Sequence, residues 1–237
     1  MKLAIMQPYF FPYIGYFDLL CNVDLFIVYD TVQYIRRGWI HRNRVLQHNK
    51  IGWQYIIMPT NKAAQKTPIN EIQVLQNNNW KYRILGQLEH YEKHAPYAME
   101  TIEFAKKCLE VNEVSISRLN VNILHQCADL LNIGFEYKLC SELNIELDSV
   151  GNAEEKILYL CEFLGASEYV NLIGGVDLYH EDSFKDRNIK LTFRNTPTWI
   201  YETTPYEFEP NLSIIDVLMW NRPDKIKEYL NKYRKAE

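Results

Sequence analysis

The sequence predicts an α/β fold built on a central, mainly parallel sheet, and three observations carry that prediction. Two near-continuous apolar runs, Leu3-Ala4-Ile5-Met6 and Leu25-Phe26-Ile27-Val28-Tyr29, flank a helical segment near the amino terminus. Runs of this kind suit strands buried on both faces of a parallel sheet. Strand–helix alternation returns after residue 134, as βαβ units require. Between the two halves, over about residues 79–132, apolar residues recur at helical spacing, so this stretch reads as a helical insert within one domain spanning residues 1–237.

The elements follow in order. The segment Gln7-Pro8-Tyr9-Phe10-Phe11-Pro12-Tyr13-Ile14-Gly15-Tyr16-Phe17 connects the first strand to a helix over residues 16–21. Its prolines fix a stiff, irregular connection, because they neither donate to a ladder nor sit inside a helix. The second strand ends in Asp30, which should lie beside this loop. Residues 39–47 and 51–58 flank His48-Asn49-Lys50 and read as a hairpin, and residues 72–75 as a short strand. In the insert, Trp80, Ile84, Leu88 and Tyr91 define one helix, Pro96 opens a second, and a third runs to a glycine stop at Gly134. Strands over 135–139, 169–173 and 189–193, a helix over 152–164, a turn at Gly174-Gly175 and closing helices over 212–220 and 224–233 complete the chain.

Composition narrows the function. A net charge of −4 argues against a protein that coats nucleic acid, while local basic clusters can still hold a phosphorylated small molecule. Seventeen tyrosines offer apolar faces joined to hydroxyls, a combination suited to sugars or nucleobases. The five cysteines form no C-x-x-C pair and no zinc spacing, and they read as small core residues of a cytoplasmic protein. The start of the chain is too short for a signal segment, and no window reaches the length of a membrane span.

Four constellations can carry chemistry. In open α/β sheets, ligands bind beyond the carboxyl ends of the strands, so the first loop is a candidate binding element. There Gln7 offers donor and acceptor, Tyr9 and Tyr16 can stack or hydrogen-bond, and Gly15 permits close backbone approach. The alternative is an aromatic-rich core turn. Asp30, with Gln33 three residues on, can act as a base or orient a hydroxyl, or can simply cap the next segment. Arg36-Arg37-Gly38-Trp39-Ile40-His41-Arg42-Asn43-Arg44 holds four arginines in nine residues. Guanidinium groups bind phosphates bidentately, so Arg42, Asn43 and Arg44 are candidate ligand contacts with His41 as a candidate base. The same charges also suit a solvated edge strand. Gly174-Gly175 exposes amides that can meet a phosphate or form a tight turn. His90 and His94 have the four-residue spacing of metal ligands, but Tyr91 stands where a metalloprotease glutamate would be, so no metal is expected. Ser213 and Asp216 have the spacing of a capping box.

These pieces, in sequence order, resemble the WbqC-like family of bacteria. The likeness rests on Gln7-Pro8-x-Phe10-x-Pro12-Tyr13-x-Gly15-Tyr16-Phe17, Asp30-x-Val32-Gln33-Tyr34 and Trp39-x-x-Arg42-Asn43-Arg44. It continues through Ala95-Pro96-Tyr97, Gly174-Gly175 and Phe208-x-Pro210-x-Leu212-Ser213-Ile214-Ile215-Asp216. His41 departs from the family's usual asparagine. Such proteins are associated with surface-polysaccharide gene clusters, which implies a role in making or decorating the sugars of an O-antigen or capsule. The opening segment is also similar to Rossmann-like nucleotidyltransferases of the pantothenate synthetase kind, with Tyr13-Ile14-Gly15-Tyr16 where those carry His-x-Gly-His.

Three functions follow as expectations. One is a transferase that moves an acyl or aminoacyl group, from a donor such as an acyl-coenzyme A, onto the amine of a nucleotide-linked sugar. Asp30 and His41 would be its catalytic groups, and Gln7, Tyr9, Gly15, Tyr16, Gln33, Arg42, Asn43 and Arg44 its substrate contacts. A second is an ATP-using nucleotidyltransferase or ligase. A third is a non-catalytic assembly protein of the same pathway.

Overall fold

The computed structural model describes residues 1–77 and 79–234. The first α/β unit comprises β1 (Lys2–Met6), α1 (Ile14–Leu20) and β2 (Leu25–Val28). A hairpin of β3 (Arg42–Leu46) and β4 (Trp53–Ile57) follows, then the helices α2 (Asn79–Leu88), α3 (Ala98–Leu109) and α4 (Ile116–Leu130). The chain continues through β5 (Tyr137–Leu139), α5 (Ala153–Phe163), β6 (Glu168–Leu172), α6 (Glu181–Lys185), β7 (Lys190–Arg194), α7 (Ile214–Trp220) and α8 (Pro223–Arg234).

Five strands form one parallel sheet in the order β5-β2-β1-β6-β7. Side chains alternate across it with the period of two that strand geometry imposes. Ala4, Phe26, Val28, Val170 and Leu172 face a large core shared with α1, α4 and α7. Leu3, Ile5, Ile27 and Tyr169 face a second core closed by Ile157 and Leu160 of α5 and Phe184 of α6. Both faces are therefore covered, which is why the strand sequences are continuously apolar. The chain leaves β1 for β2 on one side, while β6 pairs with β1 on the other. This reversal places the switch-point crevice beyond the carboxyl ends of β1 and β6.

Four local expectations need correction. The hairpin strand begins at Arg42 rather than Trp39. The Trp39 carbonyl accepts the Phe10 amide and the Ile40 carbonyl accepts the Asn120 side chain, so residues 39 and 40 are committed to partners outside the ladder. Residues 72–75 make no strand; Gln73 and Val74 form only isolated bridges to Ser115 and Thr60. The left-handed residue that ends α4 is Asn132, at φ +53°, and the Ile133 amide reaches back to the Ala128 carbonyl beyond it. Asparagine tolerates this conformation, so Gly134 is not the stop. Ser213 caps α7 through the Ile215 amide, but the Asp216 carboxylate turns away to the Leu46 amide and the Tyr91 hydroxyl, so there is no reciprocal box.

Candidate functional site

The loop after β1 turns sharply, with the buried Phe11 at φ +40°. A bulky residue in this region costs on the order of 1–3 kcal/mol and persists only when its surroundings over-determine it. They do so through the loop's carbonyls. Gln7 accepts from Tyr16 Oη at 2.7 Å, and Pro8 from Asn120 Nδ2 at 2.8 Å. Asn43 Nδ2 donates to the Phe10 and Phe11 carbonyls at 3.0 and 2.7 Å. Ser213 Oγ also donates to the Phe11 carbonyl, and the Ile214 amide to that of Pro12. Tyr16 of the adjoining helix and groups from three distant segments thus hold the loop in one shape. At the start of α1, the Tyr13 ring lies over Gly15: a Cβ there would stand 2.5 Å from the ring.

Directly beside this loop is a cleft of about 370 Å³, in the size range of small-molecule sites. Tyr9 and Tyr13 come from the first loop, and Trp39, Asn43 and Arg44 from the hairpin region. Ile173 and Gly174 follow β6, Arg194 ends β7 with Thr196 two residues beyond it, and Asn211 precedes α7. The cleft therefore sits at the switch-point crevice that the sheet order defines.

Its two cations are held differently. The Arg44 guanidinium lies 5.3 Å from the Trp39 ring and 5.1 Å from that of Trp53, and donates to the Asn211 carbonyl at 3.2 Å. Stacking on two indoles fixes its plane while leaving it partly open to solvent. Arg194 is buried and forms a two-point ion pair with Asp18 of α1, Nε to Oδ2 at 2.9 Å and Nη2 to Oδ1 at 3.2 Å. Thr196 Oγ1 also donates to Asp18, at 2.8 Å. Burying this pair is tolerable because the carboxylate's lone pairs are satisfied. Burial raises the Tyr9 hydroxyl pKa and, with the neighbouring Tyr9 and Asp18, pushes that of Tyr13 up to about 12. Both phenols are protonated donors at neutral pH. Among the described residues, no carboxylate, imidazole or thiol lines the cleft.

Of the residues singled out in the sequence, Tyr9, Asn43 and Arg44 line the cleft. Gly15 and Tyr16 support it from behind: Tyr16 is fully buried and its hydroxyl goes to the Gln7 carbonyl. Arg42 donates to the Arg37 carbonyl and lies 4.1 Å over the Tyr55 ring, apart from the cleft lining. Gln33 is exposed and pairs with Pro68. His41 packs against Tyr34, and its buried Nδ1 has no hydrogen-bond partner among the described residues. Burial, aided by Arg42, lowers its pKa to about 4, so the ring is neutral at pH 7.

Asp30 does end its strand beside the first loop, but its carboxylate is enclosed. It accepts from the Ser141 amide at 3.0 Å and from Ser141 Oγ at 2.8 Å. Burial raises its pKa, and the Ser141 bonds oppose that rise. This is the capping arrangement that the sequence left open for it. His90 Nδ1 shares a hydrogen bond with Tyr206 Oη at 2.9 Å, and the His94 ring packs edge-on to that of Tyr206. No cluster of three or more metal-ligating side chains occurs among the described residues.

The sequence reading passed over Arg194, Asp18, Asn211 and Asn120. Arg194 is the last residue of β7 and Asn211 stands shortly before α7, positions where ligand contacts are common. Asp18 and Asn120 lie inside helices, and nothing in their local pattern announces a partner far away in the chain. No helix among the described residues is long and apolar enough to cross a membrane.

Comparison with known proteins places this architecture. An uncharacterized protein of Mycobacterium tuberculosis, Rv1507c, is 30% identical over 236 residues, which cover 98% of this chain and 99% of that one. No solved structure matches the chain. The family model of the WbqC-like protein family matches residues 7–228, from the first loop to the middle of the last helix, and the chain belongs to that family.

Proposed function

We propose that the cleft binds a nucleotide-linked or otherwise phosphorylated amino sugar, and that the protein is a transferase acylating the sugar amine in bacterial surface-polysaccharide synthesis. The observation that carries this reading is the pairing of Arg44, stacked and partly open, with Arg194, anchored by Asp18, on one aromatic-walled crevice at the sheet's switch point. Guanidinium groups take the phosphate oxygens, since their planar fork of donors matches phosphate geometry. Tyr9, Tyr13, Asn195, Thr196 and Thr198 supply donors and acceptors for sugar hydroxyls. The chain belongs to the WbqC-like family, and the surface-polysaccharide role that the resemblance implies supports the same substrate class.

One feature favours a second reading. Among the described residues, no carboxylate, imidazole or thiol lines the cleft, which suits a sugar-binding assembly protein without chemistry of its own. The two readings separate in one experiment. Uridine diphosphate glucosamine is titrated into the protein by calorimetry, then incubated with it and a series of acyl thioesters while free thiol is measured. Binding with thiol release supports the transferase, and binding without it supports the assembly protein. Absence of binding to the wild type overturns both.

A further inference from the structure

A second, much smaller cavity adjoins the cleft. Tyr13, Thr196, Thr198 and Asn211 line both, so the two spaces share one wall. The slot encloses about 20 Å³, room for a group the size of one water and too little for a nucleobase or a sugar ring. Glu209 lines it, and among the described residues no lysine, arginine or histidine does. Four aromatic rings, those of Tyr13, Trp199, Tyr201 and Phe208, stand around it. Their packing holds them in place. Tyr201 meets Phe208 edge-on at 5.3 Å between ring centres and Trp199 at 5.6 Å, and Trp199 stacks on Tyr229 of α8 at 4.7 Å. Tyr201 Oη donates to the buried Asp216 at 3.4 Å, which ties the ring to the core. Glu209 is half-buried, and among the described residues no hydrogen bond or ion pair engages its carboxylate. A carboxylate partly withdrawn from water gains most from a cation. Aromatic faces also attract organic cations, through the negative side of the ring quadrupole, whereas a metal ion needs several oxygen ligands.

We propose that this slot is an ammonium subsite: it takes the amine of the sugar bound in the cleft, as its cation, between Glu209 and the aromatic rings, and so selects an amino sugar over one with a hydroxyl at that position. This rests on the reading that the cleft binds a phosphorylated amino sugar, and it holds for a transferase and an assembly protein alike. The Arg44 guanidinium donates to the carbonyl of Asn211, one of the shared wall residues. A phosphate on Arg44 therefore stands close to the partition, with the slot on its other side. The two charges of one small ligand meet opposite charges across a single wall. The cleft by itself does not make this distinction, because its lining offers cations and neutral polar groups but no carboxylate.

The test is calorimetry at about pH 6, where a sugar amine is protonated, with uridine diphosphate glucosamine and uridine diphosphate glucose as probes. The two differ only in an amine for a hydroxyl. The wild type should bind the amino sugar at least about tenfold more tightly, the scale of one charge-assisted contact. Glu209→Gln keeps the side chain's shape and removes its charge, and should cut that preference to about threefold or less. Glu207→Gln, exposed and on neither cavity, should keep it. Circular dichroism checks that each variant is folded. Equal affinity of the wild type for the two probes overturns the inference while a phosphorylated-sugar site stands. A preference that survives in folded Glu209→Gln also overturns it, as does an equal loss in Glu207→Gln, which would mark a general effect of charge. If neither probe binds, the sugar-phosphate reading falls and takes the inference with it.

Discussion

Two stretches of the same sheet rim, a strand or two apart, have opposite characters. Beyond β1, β6 and β7 the rim opens into a cleft, on whose wall Arg44 is partly open to solvent. Beyond β2 and β5 it closes: Asp30 is fully buried and bonded to Ser141, and Thr31 packs its hydroxyl against Cys140. Each half contains a buried aspartate with several donors. Asp18 holds Arg194 on the wall of the cleft, whereas Asp30 holds Ser141 where no open volume adjoins. A charged residue at a strand end is therefore not a site by position alone; what matters is whether its partners leave a group facing open volume.

The largest expected effect breaks the open half. Asp18→Ala leaves the buried Arg194 without its carboxylate, and losing one partner of a buried pair costs about 3–5 kcal/mol. Chemical denaturation should show that loss, and ligand binding should fail in whatever fraction remains folded.

A third buried aspartate gives the next effect. Burial pushes the Asp216 pKa up to about 6, against the hydrogen bonds from Tyr91, Leu46 and Tyr201. Its unfolded value is about 3.9. The folded state therefore binds more protons than the unfolded one between these values, so this group's contribution to stability falls as pH rises through that window. His41 and His90, whose pKa values burial lowers to about 4, work the other way: their contribution is present above about pH 6.5 and fades as pH falls. The clean quantity is the stability of the wild type minus that of Asp216→Asn. It should drop by on the order of 3 kcal/mol from about pH 4 to pH 6 and stay level above.

Asn43→Ala removes the donor shared by the Phe10 and Phe11 carbonyls and should cost about 2–3 kcal/mol of stability, with weaker binding because the strained loop relaxes. Arg44→Ala should lower affinity for uridine diphosphate glucosamine by about 10–100-fold, with a stability change under about 1 kcal/mol. The smallest effect belongs to the closed half. Ser141→Ala should cost about 1–2 kcal/mol and leave ligand affinity unchanged. Equal loss of binding in the Arg44 and Ser141 variants would erase the contrast between the two halves.

How much of this was legible in the sequence follows from the range of the interactions. The parallel sheet was readable because both-face burial writes itself into local runs such as Leu25 to Val28. The helical block was readable because period 3.6 survives in Trp80, Ile84 and Leu88. The first loop and Arg44 stood out for their residue types. Asp18 with Arg194, and Asn120 with Pro8, were not readable, since each pair joins residues more than a hundred positions apart. The roles of Asn43 and Tyr16 were half legible: the sequence singled them out, but only the fold shows that their polar atoms are spent on the loop's own carbonyls.

The most direct test of the central claim is calorimetric titration of uridine diphosphate glucosamine into the wild type, Arg44→Ala and Ser141→Ala, with folding of each checked by circular dichroism. The account predicts saturable one-site binding by the wild type and the Ser141 variant, and a loss of at least about tenfold in the Arg44 variant. Undiminished binding by folded Arg44→Ala, or no binding by the wild type, would contradict it.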